Sequence, residues 1–428
     1  MLDLRFIRDN VELTRERLAA RGAAPSTLDE FVRLDTERRA LLTEVEGLRQ
    51  RRNELSKEVA ELKRQDKSTS DVVARVAVET PLLNGLEKQL KEKEEILQEA
   101  ALFLPNLPHA SVPIGKSAED NVEIRRWGTP RQFDFAPKSH WELGEALGIL
   151  DFERAAAIAQ SRFAVLKGVG ARLERALISF MLDLHVKEHS YTEILPPLLV
   201  NADAMRGTGQ LPKFGEDLFK TEDEGLYMIP TAEVPVTNLH RDEILLPGTL
   251  PLSYVACTPC FRREAGSYGK DTRGLMRQHQ FNKVELVKLA EPERSYEALE
   301  EMTRHAETVL QRLGLPYRVV VLCTADLGFA AAKTHDIELW IPSQRAYREV
   351  SSISNCETFQ ARRANIRYRP SPKTPPQFVH TLNGSGVAVG RTWLAILENF
   401  QEADGTVVIP EALRPYMDGL ERISNNRV

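Results

Sequence analysis

The sequence predicts an α+β protein in two parts, a long antiparallel helical hairpin followed by a larger domain built on an antiparallel sheet flanked by helices. Three observations carry this expectation. Apolar residues recur at coiled-coil spacing from Phe31 onward. Pro105, Pro108 and Pro113 then forbid helix and mark a linker. Beyond them several short β-rich runs are joined without an intervening helix, which favours an antiparallel sheet over a doubly wound parallel one.

The first helix follows from the seam Phe31, Leu34, Arg38, Leu41, Val45, Leu48, Arg52, Leu55, Val59 and Leu62, whose steps alternate between three and four. After the polar turn RQDKSTSD, the positions Val76, Leu83, Leu86, Leu90 and Leu97 run back for a similar length, so each helix covers the other's stripe. Pro81 breaks the second pattern, because an interior proline removes a backbone donor. Thr80 and Pro81 would then serve as the cap and first residue of a separate or kinked helix. A coiled coil used only for dimerisation, with a solvated charged exterior, fits the same heptads. In the larger part, RLERALISFMLDLHVKEH (172–189) and ERSYEALEEMTRHAETVLQRLG (293–314) read as amphipathic helices, and YVACTPC, KVELVKL and YRVVVLC as strands.

With 428 residues and 42% hydrophobic content the chain has room for two or three domains with ordinary cores. Its net charge of −5 means that any nucleic-acid contact must come from a local basic surface. The N-terminal MLDLRFIRDN alternates apolar and charged residues, unlike a signal peptide, and no stretch has the length and apolarity of a membrane span. A cytoplasmic protein is therefore expected. Cys257 and Cys260 show half of a zinc spacing, but completing it would need the distant Cys323 and Cys356 to converge, so no zinc is expected.

Two glycine-rich stretches, GVGARL and GSGVAVGRT, lack the third glycine or the Gly-Lys-Ser/Thr ending of phosphate-binding loops, and GKDT at Lys270 fails the same test. Phosphate binding would then fall to side chains. In FRREAGSYGKDTRGLMRQHQFNKVEL (261–286) two charged clusters flank a glycine-containing loop. A strand–loop–strand hairpin would bring Arg262 and Arg277 together as a polyphosphate clamp, with Phe281 as a face for a base. The other reading is a solvated hairpin with Phe281 in the core.

This stretch resembles motif 2 of the class II aminoacyl-tRNA synthetases, and within them the seryl-tRNA synthetases. TGQLPKF (208–214), PTAEVPVTN (230–238), REVSSISNCETFQARR (348–363) and HTLNGSGVAVGRT (380–392) occur in that family's order, and the helical hairpin matches too, so the resemblance spans the whole chain. It implies a tRNA-binding helical arm over 1–104, a linker over 105–115 and a class II catalytic domain over 116–428. Helix 172–189 and EILPPLLV resemble motif 1, with Pro197 meeting its twin in a homodimer.

The resemblance also implies roles. Arg262, Glu264 and Arg391 are the implied catalytic residues. Arg262 holds the α-phosphate of ATP and the charge that develops there, Glu264 faces the adenosine, and Phe281 and Arg391 sandwich the adenine. Arg277 and Arg391 reach the γ-phosphate. Glu349 and Ser352 are implied ligands of Mg²⁺, for which carboxylate and hydroxyl oxygens are suitable donors. Thr231 and Glu233 form the amino-acid signature, although Thr231 is equally suited to cap a helix. Glu285, Asn383 and Ser385, with Arg262, complete a serine pocket. The implied reaction activates L-serine with ATP and transfers it to the 3′ end of tRNA(Ser), with tRNA(Sec) left open as a second acceptor. Relatives that load a carrier protein lack the helical arm, and an inactive paralogue would be expected to have lost Arg262, Glu285, Glu349 or Arg391; all four are present.

Overall fold

A computed structural model describes residues 1–265 and 273–425; the segment 266–272 of the charged hairpin, including Lys270, lies outside the described residues. The chain divides into two compact units, Leu2–Pro105 and Asn106–Val428, the latter grouped with Met1.

The first unit opens with two short helices, α1 (Leu4–Asp9) and α2 (Val11–Ala20), which no seam pattern announced. They lead into α3 (Pro25–Arg64), where Pro25 occupies the first turn, the one place in a helix where its missing donor costs nothing. Helix α4 (Ser70–Leu102) returns antiparallel. Phe31, Leu34, Val45, Leu48 and Leu55 of α3 are buried, as are Val72, Leu83, Leu90 and Leu97 of α4, the last three exactly one heptad apart. Arg38 keeps a seam position by pairing with Asp35 at 3.5 Å and Glu94 at 3.7 Å. Asp35 also takes both arms of Arg8, at 2.8 and 2.9 Å. Arg49–Glu87 (2.8 Å) and Lys93–Glu37 (2.7 Å) flank the seam. The expected break at Pro81 is corrected: α4 runs through it, Pro81 is exposed, and the Thr80 hydroxyl donates to the Val76 carbonyl at 2.8 Å one turn back. Cross-helix burial of Leu83 and Leu90 holds the helix together across the missing hydrogen bond.

The second unit is built on an eight-stranded sheet. Its strands are β1 (Val122–Trp127), β2 (Thr192–Glu193), β3 (Leu252–Phe261), β4 (Gln280–Ala290), β5 (Tyr317–Val321), β6 (Lys333–Ile341), β7 (Ala346–Asn355) and β8 (His380–Ala388). The order is β1-β5-β6-β7-β8-β4-β3-β2, antiparallel throughout except for β2 on β3. The expected antiparallel α+β architecture is what the chain adopts.

Helices of this unit are α5 (His140–Ala146), α6 (Phe152–Ile158), α7 (Val169–Lys187), α8 (Ala202–Thr208), α9 (Glu233–Thr237), α10 (Ser295–Leu313), α11 (Phe359–Ala364) and α12 (Val389–Asn399). Both helices expected from periodicity form. Leu173, Ala176, Leu177, Phe180, Met181 and Leu184 of α7 make one apolar face, and with α10 and α12 they cover one side of the sheet. Gly384 sits where β7 and β8 approach so closely that a Cβ would lie 2.6 Å from Ile353, so a side chain there would force the strands apart. The other face of the sheet's centre stays open and polar.

Candidate active site

A cavity of about 710 Å³ lies on that open face. All twelve residues singled out in the sequence line it, six of them on the adjacent strands β7, β8 and β4 and the other six on loops, α9 and α12. Strand alternation explains much of this. Phe281, Lys283 and Glu285 share the cavity face of β4, while Val284 and Leu286 enter the core behind it. Ser385 lies directly across the ladder from Glu285, and Asn383 is its co-facial neighbour on β8.

The charged hairpin forms as expected. Arg262 follows β3, its N–H donating to the His279 carbonyl at 2.9 Å, and its guanidinium lies 5.2 Å from the centre of the Phe281 ring. Phe281 is half-buried and faces the cavity, so the core alternative does not hold. Glu264 adopts a left-handed backbone (φ +51°), uncommon for a residue with a Cβ, and its carboxylate meets Arg277 at 3.1 Å.

Thr231 is not the helix cap, a position that Ala232 takes. Thr231 lines the cavity while its hydroxyl accepts the Glu233 N–H at 3.2 Å, where α9 begins. The Glu233 carboxyl accepts hydrogen bonds from Gln360 (2.6 Å) and Asn383 (3.2 Å). Burial, and next the negative charge of Glu285, push that carboxyl up to about 7. Glu285 is itself buried and paired with Lys283 at 2.5 Å.

Glu349 and Ser352 are three residues apart on β7, a spacing that puts side chains on opposite faces of a regular strand. A bulge resolves this. Ile337 pairs with Ser351 but Glu338 with Glu349, leaving Val350 as the extra residue, so Glu349 and Ser352 both reach the cavity while Val350 and Ile353 both enter the core. Arg391, on the first turn of α12, donates to the Glu349 carbonyl at 2.7 Å and lies 3.4 Å from its carboxylate. Cys257 and Cys260, three apart in β3 with no bulge between them, face opposite sides of the sheet; Cys260, Cys323 and Cys356 are buried.

The comparisons with known proteins agree along the chain. Residues 1–108 match the family model described as the seryl-tRNA synthetase N-terminal domain, and residues 218–400 match the class II tRNA synthetase core domain of the G, H, P, S and T group. A serine–tRNA ligase of Geobacillus kaustophilus is 59% identical over 97% of this chain and 98% of its own. The chain belongs to the seryl-tRNA synthetase family. A serine–tRNA ligase of Pelobacter propionicus is 60% identical over 99% of this chain and all of its own. The crystal structure of a Pyrococcus horikoshii seryl-tRNA synthetase complexed with ATP superposes with a TM-score of 0.94 at 42% identity, covering 99% of both chains.

Three residues of this seryl-tRNA synthetase family member that line or support the cavity went unread in the sequence. Lys283 and Gln360 neutralise or hydrogen-bond the two pocket carboxylates. Asp336 lies across the ladder from Ser352, whose hydroxyl bonds its carboxyl; one carboxyl oxygen, Oδ1, is buried without a hydrogen-bond partner. Burial, and next Glu349, hold the Asp336 carboxyl well above the usual carboxylate range. The i, i+2 alternation of KVE at 283–285 is a signal that could have found Lys283. Gln360 and Asp336 become neighbours of the site only through the tertiary fold.

Proposed function

We propose that this chain joins L-serine to the 3′ end of tRNA(Ser), in the cytoplasm and as a homodimer, by way of an enzyme-bound seryl-adenylate. The observation that carries the reading is that the twelve residues implied by the family resemblance all line one cavity. Serine is held with its ammonium toward Glu233 and Thr231 and its hydroxyl toward Glu285 and Ser385, a polar end suited to a hydroxylated side chain. Arg262 stands between this end and the nucleotide end, where Phe281 offers a ring face and Glu264, Arg277 and Arg391 surround the remaining space.

The serine carboxylate attacks the α-phosphorus of ATP, the bond to the bridging oxygen breaks, and pyrophosphate leaves. Arg262 stabilises the charge on the α-phosphate, while Arg277 and Arg391 hold the leaving group, so the protein works by positioning and electrostatics without a covalent nucleophile. The terminal 3′-hydroxyl of the tRNA then attacks the seryl carbonyl, the bond from that carbon to the adenylate oxygen breaks, and AMP and the hydroxyl proton leave. The helical arm over 1–104 supplies tRNA contact by shape and backbone charge, with tRNA(Sec) as the second acceptor to be tried.

The donors fit Mg²⁺: Glu349 and Ser352 present hard oxygens on one face, and Asp336 stands behind Ser352 with a buried oxygen unpaired. Among the described residues no three His, Cys, Asp or Glu side chains converge as a metal nest, which suits an ion that takes its other ligands from phosphate and water. When bound, Mg²⁺ would neutralise phosphate charge. Asp336 orients the Ser352 hydroxyl, so that the serine oxygen's lone pairs are free for the ion. The exposed apolar run Leu195, Leu198 and Leu199 around Pro197 supports the dimer.

Pyrophosphate exchange with each amino acid in turn, followed by charging of purified tRNA(Ser) and tRNA(Sec), tests the whole reading. Exchange dependent on serine and transfer to tRNA(Ser) are expected; exchange supported better by another amino acid would refute it.

A further inference from the structure

His140, the first residue of α5, is fully buried and lies outside the cavity lining. Its Nδ1 is 2.7 Å from Oε1 of Glu398, which is also fully buried and sits on the last turn of α12. The same carboxylate accepts the backbone N–H of His140 on Oε1 and that of Ser343 on Oε2, each at 3.0 Å. A carboxylate can only accept here, so Nδ1 carries the hydrogen and Nε2 is left with its lone pair. That lone pair accepts the N–H of Leu275 at 3.0 Å. Both ring nitrogens are thereby committed to different elements.

The segment receiving this bond leads directly into the nucleotide end of the site. Leu275, Met276, Arg277 and Gln278 line the cavity without regular secondary structure of their own. Gly274 abuts the His140 ring: its φ is +82°, and a Cβ there would meet Nε2 at 2.2 Å. The next carbonyl along, that of Met276, accepts from Arg391 Nε at 3.4 Å. One helix, α12, thus holds the segment twice, through Arg391 at its start and through Glu398 and His140 at its end.

We propose that His140 is a positioning residue for ATP: relayed by Glu398, it fixes the backbone at Leu275 and so registers Arg277 against Arg391. The proposal rests on the reading of these two arginines as phosphate contacts. A displaced segment would leave a buried ring nitrogen and a buried N–H unpaired, a penalty that apolar packing alone would not impose.

The test uses the full-length protein and pyrophosphate exchange with ATP and serine varied separately. His140→Asn retains an N–H toward Glu398 but is too short for Leu275, whereas His140→Gln carries an acceptor out to the Nε2 position. His140→Asn should raise the KM for ATP roughly tenfold, the scale of one buried hydrogen bond, and leave the KM for serine within about twofold. His140→Gln should recover most of the ATP affinity. Amide exchange at Leu275 should quicken in the first variant and not in the second. Gly274→Ala, whose Cβ presses on Nε2 and pushes the segment off the ring while the His140 and Glu398 side chains keep their own chemistry, should reproduce the ATP-specific effect and decides the matter if His140→Asn does not fold. An unchanged ATP KM in both His140→Asn and Gly274→Ala, or equal losses for ATP and serine with no recovery in His140→Gln, would overturn the proposal. Arg277→Ala separates the two kinds of failure. An unchanged ATP KM there overturns the assignment of Arg277, whereas a raised one beside normal His140→Asn and Gly274→Ala kinetics overturns the tether alone.

Discussion

Glu285 and Glu233 occupy the same end of the cavity but are set up for different tasks. Glu285 is buried, ion-paired with Lys283 and opposite Ser385 across the ladder. A pocket built to hydrogen-bond a hydroxyl rejects the analogue lacking it by roughly 10⁴ to 10⁵, because its buried groups are left unpaired, while an extra methyl is worth only about 1–3 kcal/mol. Alanine should therefore be activated far more poorly than serine, and threonine excluded less completely. Glu285→Ala should lower serine exchange and narrow the serine-to-alanine ratio; an unchanged ratio would show that Glu285 does not read the hydroxyl. Glu233, with its carboxyl pushed up to about 7, binds an ammonium only when ionised. The raised value keeps the proton on below pH 7, so the KM for serine should rise as pH falls from 8 to 6, approaching about tenfold per unit in the limit of one controlling group. Glu233→Gln should flatten that profile and weaken binding at pH 8; a KM in wild type that stays level across the range would remove Glu233 from ammonium binding.

At the scale of elements, the bulge at Val350 does what no spacing in the sequence announced, turning Glu349 and Ser352 to one face. If the pair holds Mg²⁺, Glu349→Gln should raise the Mg²⁺ concentration for half-maximal exchange by roughly tenfold or more, and direct Mn²⁺ titration in the presence of ATP should show the same weakening. Equal cation affinity in wild type and variant would dismiss the pair as ligands. Helix α4 makes a second element-scale point. An interior proline costs a helix about 3 kcal/mol relative to alanine, yet α4 is continuous through Pro81 because the opposing apolar seam outweighs that local penalty. Pro81→Ala should restore a donor for the Ala77 carbonyl and stabilise the hairpin by up to about 3 kcal/mol, seen as slower amide exchange in residues 73–86. Unchanged exchange would mean that the penalty is already offset within the native helix.

For the whole molecule, the division into Leu2–Pro105 and Asn106–Val428 places every cavity residue in the second unit. Replacing residues 30–100 by a short linker should spare serine-dependent pyrophosphate exchange and strongly impair tRNA charging. If the hairpin meets tRNA phosphates through Lys and Arg, the charging KM of the intact protein should also climb steeply with salt while exchange changes little. Normal charging by the shortened protein would end the arm's proposed role.

The heptads of α3 and α4, the amphipathic faces of α7 and α10 and the strands β3, β4 and β5 were legible because burial on one face imposes a period that survives in a linear sequence. The twelve candidate residues were legible for another reason: their side-chain chemistry and their order along the chain resemble those of a family. Tertiary structure alone decided the rest. Val350 could be recognised as a bulge only from its pairing with β6, Asp336 and Gln360 entered the site from distant segments, and His140 met Leu275 across 135 residues. Short helices such as α1 and α2, with too few turns to display a period, were likewise unreadable. Periodicity records which side of an element is buried, but hydrogen-bond partners depend on where two elements cross, and that is set by the packing of the whole fold.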